Sequence, residues 1–498
     1  MTSLEHSSEN AAVSSLSQSA PDRQQARAAA QLLVAGLVSG LALHVLVWDR
    51  AGGSLGWFLS MMIFVACSVF LNLNEHREWR RRQWAWFAVM LVSVGMTVIR
   101  DALEVRLLMV FVMLLALGMM FYQSLGYSLT HATLIRVFGL ALRMPLRMLG
   151  GVVGAVETLI QTRWHGLGQM QAIIRGLLLA MPLLLIFVGL FASADAVFSA
   201  WLDNLGDIMN ALAPQTPLIS FALTMVATGV LSCSVRKSEC VDLPRAELQV
   251  RLPSLGREET AVLLGSLATL FVIFVVLQLS WLFGGQDLIQ SRGGLTLAEY
   301  ARRGFFELVV VAGLTLAVLM SVSAMQGHRG LLRVLGGIMI ACVLVMLVSA
   351  LHRLHLYIDQ FGLTMDRLMA LALALWLAFA LLWFGGTVLR GRQKGFIVGL
   401  LLSGITISVL LALMNPAQRV AQVNIEHAQS RAQPLDVDYL ISLGADAIVP
   451  LLSSAEGVKL TQEQSISVHE QLAFQTDNTD WRDWNRSRAR AVQLLIDE

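Results

Sequence analysis

LLRVLGGIMIACVLVMLVSALHRLHLYIDQFGLTMDRLMALALALWLAFALLWFGGT, Leu331–Thr387, holds two apolar runs, 331–351 and 367–385, on either side of a polar stretch. Each run is close to the roughly 20 residues that a helix needs to cross a hydrocarbon core about 30 Å thick. In hydrocarbon, every backbone N–H and C=O must find its partner within the chain, so such runs fold as helices. The pair therefore predicts two membrane spans joined by a polar turn.

Working outward with the same window rule, further spans are expected at 28–48, 55–73, 84–99, 105–122, 176–200, 216–233, 260–283, 304–325 and 395–414. The chain is thus read as an all-α, polytopic transmembrane bundle of about eleven spans. Composition agrees: 56% of the 498 residues are hydrophobic and 14% are charged, against about 25% charged in soluble domains. No block of like charge resembles a nucleic-acid-binding arm, so that partner class is excluded and the bilayer itself is the expected partner.

The placement of basic residues orients the map. With the N-terminus inside, 21 of the 36 lysines and arginines fall on inside segments, 8 on outside loops and their edges, and 7 in the C-terminal tail. That asymmetry predicts a multi-pass protein with its N-terminus in and its C-terminus out. The expected organisation is a disordered tail at 1–27, four spans at 28–122, interfacial cytoplasmic helices at 123–175, a seven-span core at 176–414 and an extracytoplasmic helical segment at 415–498. Arg136, Arg143 and Arg147 interrupt the apolar character of 126–160, which is expected to lie in the interface with these arginines among lipid headgroups.

Charged residues at span ends supply the candidate sites. In GGLTLAEYARRGFFELVVV, Thr296 and Glu299 make a capping-box pattern. Glu299, Arg303 and Glu307 follow at intervals of four, the spacing of a ladder of ion pairs, while Arg302 points elsewhere. Asp195 stands in an otherwise apolar run, where a carboxylate is a functional hypothesis by default. His352, Arg353, His355, Asp359 and Arg367 crowd the polar stretch of the opening pair. Two histidines three apart lack an identifiable third ligand, so no metal is expected. No phosphate loop or dinucleotide fingerprint is present, and no cofactor is expected. The map brings these charges to the outer face, as a binding or gating cluster. A charge-paired helix entry and a polar turn without chemistry explain the same residues equally well. The glycine pairs Gly36–Gly40 and Gly150–Gly154 read as sites of close helix packing.

The motifs YARRGFFEL (Tyr300–Leu308), LYIDQFGLTMDR (Leu356–Arg367), LFASADAVF (Leu190–Phe198) and LDVDYLISLGADAIVPLL (Leu435–Leu452) resemble those of an uncharacterised family of bacterial polytopic inner-membrane proteins. The resemblance covers about 175–452 and implies a bacterial cytoplasmic-membrane protein with no established activity. The favoured expectation is permease-like handling of a small solute at the outer charged cluster. One alternative is a non-transporting sensor or assembly subunit that binds a protein partner through outer loops and tail. The other is an enzyme on lipid-linked substrates, with Arg136, Arg143 and Arg147 on the headgroups. A transporter requires a polar cavity reaching the midplane; a sensor requires a solid bundle with its polar groups at one surface.

Overall fold

The computed structural model describes residues 23–48, 52–73, 77–124, 144–161, 217–234, 256–282, 305–325, 328–392, 395–431, 434–453, 460–476 and 480–497. Of these, 89% are helical and none is in a strand. In chain order the helices are α1 (Arg23–Val47), α2 (Leu55–Leu71), α3 (Arg77–Ile99), α4 (Leu103–Ser124), α5 (Met144–Gln161), α6 (Pro217–Ser234), α7 (Arg257–Leu282) and α8 (Phe305–Ala324). There follow α9 (Arg329–Phe361), α10 (Met365–Thr387), α11 (Phe396–Leu413), α12 (Pro416–Arg431), α13 (Val437–Ser442), α14 (Ala445–Leu452), α15 (Gln462–Thr476) and α16 (Arg486–Asp497).

Ten of the expected spans fall on α1–α4 and α6–α11; the eleventh, 176–200, lies outside the described residues. Among the described residues, seven helices (α1, α4, α7–α11) are long and apolar enough to cross a membrane, and four shorter apolar helices accompany them. The chain is an all-α protein whose apolar helices fit a multi-pass membrane protein.

The chain divides into two compact units, residues 1–50, 59–85 and 141–246 in one and 51–58, 86–140 and 247–498 in the other. In the first, α6 packs along α1 and α5. A Cβ added at Gly36 would lie 1.8 Å from Thr228 Oγ1, and one at Gly40 would lie 2.3 Å from Thr224 Cα. Glycine on one helix and threonine on the other, both repeating every four residues, let the backbones touch. Thr228 turns its hydroxyl back onto the Thr224 carbonyl of its own helix (2.7 Å), which satisfies that hydroxyl without a partner across the crossing. Gly151 of α5 meets Ser232 in the same way.

In the second unit α9 is central, flanked by α7, α8 and α10, with Met339, Val343, Met346 and Leu347 buried against Leu319, Ala374, Leu381 and Phe384. Phe384 meets Phe396 of α11 edge to face at 5.4 Å. α9 has 33 residues and so is about 50 Å long at 1.5 Å per residue, well beyond the thickness of a bilayer core. The expected polar turn is therefore mostly helix: α9 runs on through His352, His355 and Asp359, and only Gly362–Thr364 connects it to α10. Thr364 caps α10, accepting from the Arg367 amide.

Polar contacts mark both ends of this unit. At one end Arg333 Nε donates to the Leu389 carbonyl (2.9 Å) and the His328 amide to Thr260 Oγ1 (3.4 Å). At the other, the Arg100 guanidinium donates to the carbonyls of Ala412 and Leu413 at the end of α11. α4 starts at the second of these ends and α7 at the first.

Candidate functional site

Where the two helices α3 and α4 meet, Arg100, Asp101 and Ala102 form a turn only three residues long. The backbone amides of so tight a turn need acceptors that the flanking helices cannot supply. Asp446, the second residue of α14, supplies one: its Oδ2 accepts from the amides of Asp101 and Ala102. The reverse also holds. Asp101 Oδ2 accepts from the Ala445 amide (3.1 Å), the first of α14. Asp101 thus caps the start of α14, Asp446 holds the turn that leads into α4, and each places negative charge near a positive helix end.

Two further residues close the knot. Arg488 of α16 grips Asp101 Oδ1 with Nε (2.8 Å) and Nη2 (2.7 Å), the pair being less than a tenth exposed. Ser487 Oγ lies 2.6 Å from Asp446 Oδ1 and 2.8 Å from the Ile99 carbonyl, so that its one proton can be given to either acceptor. Arg100 Nη1 stands 3.9 Å from the same Asp446 oxygen, and burial draws its guanidinium below the ordinary arginine value. Asn485 is used at both ends of its amide. Its Oδ1 accepts from the Ser487 and Arg488 amides, capping α16, and its Nδ2 faces the carbonyls of Gly53, Thr97 and Arg100 at 3.0–3.3 Å. Gly444 has a φ of +89°, and a Cβ there would meet Asp101 Oδ2 at 3.0 Å, so both backbone and space call for glycine. With three hydrogen bonds to each carboxylate, the charges are paired well enough to be buried.

A second clamp holds the α9–α10 connection. Asn424 of α12 donates Nδ2 to the Leu363 carbonyl (2.7 Å) and accepts the Leu363 amide on Oδ1 (2.8 Å), so one side chain satisfies a whole residue of backbone. The Tyr439 hydroxyl accepts the Met365 amide (2.8 Å), and burial pushes that phenol above its usual pKa. His427 Nε2 lies 2.9 Å from the Asp359 carbonyl.

The sequence-based candidates fare differently. Asp195, Glu299, Arg302, Arg303, Arg136 and Arg143 lie outside the described residues, as does the Thr296 capping pattern. Glu307 is exposed in the first turn of α8. Arg147 is half-buried on α5. His352 is exposed, Arg353 is half-buried, and His355 Nε2 stands 3.7 Å from Asp359 one turn on, both side chains more than half exposed. Arg367 donates to the carbonyls of Phe361 and Gly362 and lies over the Tyr357 ring at 4.1 Å. Arg367 and Tyr357 thus close the end of α9, and Asp359 joins that end to α12. Among the described residues no group of three metal-ligating side chains occurs.

Asp101, Asp446, Asn485, Ser487 and Arg488 are absent from the sequence-based candidates. Asp446 lies within LGADA of the quoted motif LDVDYLISLGADAIVPLL, and Asn424 and Tyr439 lie in or beside the same segment. That motif, together with FGLT, is the signal that pointed here. In the structure its residues dock the C-terminal helices.

A family profile described as "Domain of unknown function (DUF4153)" matches residues 86–454, and the chain belongs to this family. The match reaches back through α3 and α4 as well as the motifs quoted above, and takes in both Asp101 and Asp446. No curated protein and no solved structure matches the chain.

Proposed function

We propose that this member of the DUF4153 family is a non-transporting assembly or sensor subunit of a bacterial cytoplasmic membrane, working through its C-terminal helices. The observation that carries this is the knot: among the described residues, the buried, ion-paired carboxylates, Asp101 and Asp446, gather at one end of the helices. They fix α14 and α16 in place, each carboxylate being taken up by backbone amides, Arg488 or Ser487. The basic-residue asymmetry supports an orientation with the N-terminus inside and this end outside. Rigidly mounted helices that expose Ile466, Trp481 and Ile496, each more than half exposed, suit the recognition of a protein partner.

The permease-like reading keeps one observation in its favour, the exposed Glu307 at the entry of a span. Uptake profiling of a deletion strain, run beside site-specific photocrosslinking from Ile466 and Trp481, separates the two. The expected result is unchanged uptake across solutes, with a discrete crosslinked adduct that disappears in Asp446→Ala. Loss of uptake of one solute, restored by the wild type and not by Asp195→Asn or Glu307→Gln, would overturn the proposal. A reporter fused after Glu498 that is active only in the cytoplasm would overturn the orientation.

A further inference from the structure

Beside the knot a groove of about 190 Å³ opens between the start of α2 and the antiparallel pair α3 and α4. The course of the helices gives it a top and a bottom. Gly52, Gly53 and Arg106 belong to the knot end, whereas Trp57, Val110 and Met113 lie one to three turns further along their helices. From Arg106 to Met113 is about 10 Å along α4. The lining is apolar below and carries a single cation above. α4 is one of the helices long and apolar enough to span, and its outward residues Leu103, Leu107, Phe111 and Leu114 are each more than half exposed. In a membrane that face meets acyl chains.

Arg106 is incompletely satisfied. Nη1 donates to the Gly52 carbonyl (2.8 Å), but Nε is buried with no hydrogen-bond partner. Three carboxylates act on Arg106 from a distance: Asp101, committed to Arg488; Asp446, committed to Ser487 and two backbone amides; and Glu104. Among the described residues, no carboxylate is in contact with Arg106. A guanidinium one turn inside a span with no carboxylate in contact can take up a further anion. A phosphodiester matches the forked donors of arginine, and the apolar groove continues from there into the hydrocarbon.

We propose that this groove holds one acyl chain of an anionic phospholipid, with the lipid phosphate on Arg106. The ligand enters sideways from the bilayer, and its headgroup sits at the level of Gly52 and Gly53. Gly53, at φ +75°, is needed there: a Cβ would lie 2.8 Å from both Arg106 Cδ and the Thr97 carbonyl, shifting the guanidinium.

The test uses the full chain in nanodiscs of phosphatidylethanolamine containing a minor fraction of photoactivatable phosphatidylglycerol, with peptide mapping of the adduct. Adducts are expected on 52–57 and 93–113, competed by unlabelled phosphatidylglycerol and not by added phosphatidylethanolamine. Replacing one charge-assisted contact by Arg106→Gln should weaken retention by about ten- to a hundredfold. Val110→Trp, which fills the groove and leaves the arginine alone, should lower labelling at an unchanged melting temperature. Equal labelling of the wild type, Arg106→Gln and Val110→Trp would overturn the proposal. So would equal competition by the zwitterionic lipid, since the arginine would then read no net charge. Should Arg106→Gln fail to fold, Val110→Trp and lipid competition on the wild type decide the matter alone.

Discussion

The crossing of α1 with α6 and the knot around Asp101 hold helices together by opposite means. At the crossing, polar atoms are turned away: Thr228 bonds its own helix, and glycine lets the backbones meet. At the knot, charge is gathered in: two carboxylates, Arg488 and the ends of two helices satisfy one another. Inside hydrocarbon the solvent is as apolar as a leucine, so shape and close approach are what hold helices together. At the end of a span, capping groups and ion pairs become available to hold elements that apolar packing alone would leave loose. The contrast teaches that the C-terminal segment is specified by directional bonds and the first unit by fit.

The largest expected effect comes from removing one side of the knot. Asp446→Ala strips acceptors from two amides, Ser487 and Arg100 together, and should cost about 3–5 kcal/mol. A lowered melting temperature and rapid proteolysis of the 437–497 segment are the readouts; wild-type melting would mean that fit, not charge, holds the tail. Pairing Asp101→Asn with Arg488→Gln sharpens this, because the double variant should recover part of the sum of the single losses, a coupling of about 0.5–3 kcal/mol. Next comes the crossing. Gly40→Ala pushes a methyl into the Thr224 backbone and should cost about 1–3 kcal/mol. If its thermal melt matches wild type, close approach is not what holds α1 to α6. Smaller again is Tyr439→Phe, which removes the acceptor of the Met365 amide for about 1 kcal/mol. Hydrogen exchange at that amide should rise, and protection unchanged from wild type would remove Tyr439 from the clamp. Least of all, Asp359→Ala breaks an exposed pair with His355 and should move stability by less than about 0.5 kcal/mol.

How much of this is legible in the sequence follows the same division. The span positions are, because the bilayer fixes the length of an apolar run and leaves the backbone one local solution. Gly36 and Gly40 are legible as packing residues, because small residues four apart have few other uses in a span. The length of α9 is not. The polar residues after Ser349 look like a turn, yet nothing between Leu351 and Phe361 breaks a helix, and the helix continues until Gly362. The knot is hidden for another reason. Asp101 and Asp446 are separated by 345 residues, and each alone reads as an ordinary acidic residue beside a helix start. Arg488 sits in an arginine-rich tail where nothing distinguishes it from Arg486 or Arg490. Pairings of this kind depend on the tertiary path and leave no local pattern. The family motif around LGADA was the one trace of them, and it marked a place without giving its purpose.

The reciprocal capping has one more consequence. A contact made of apolar side chains can slide by an ångström or two and lose little. Here the start of α14 faces the turn before α4, and each supplies the acceptor the other lacks. A displacement by one residue would strip α14 of its cap and the turn of its acceptor at the same moment, and leave Arg488 without its counter-charge. The joint therefore has no intermediate settings: it behaves as a latch that is shut or open, so that any signal passing through it would arrive as a switch and not as a gradient.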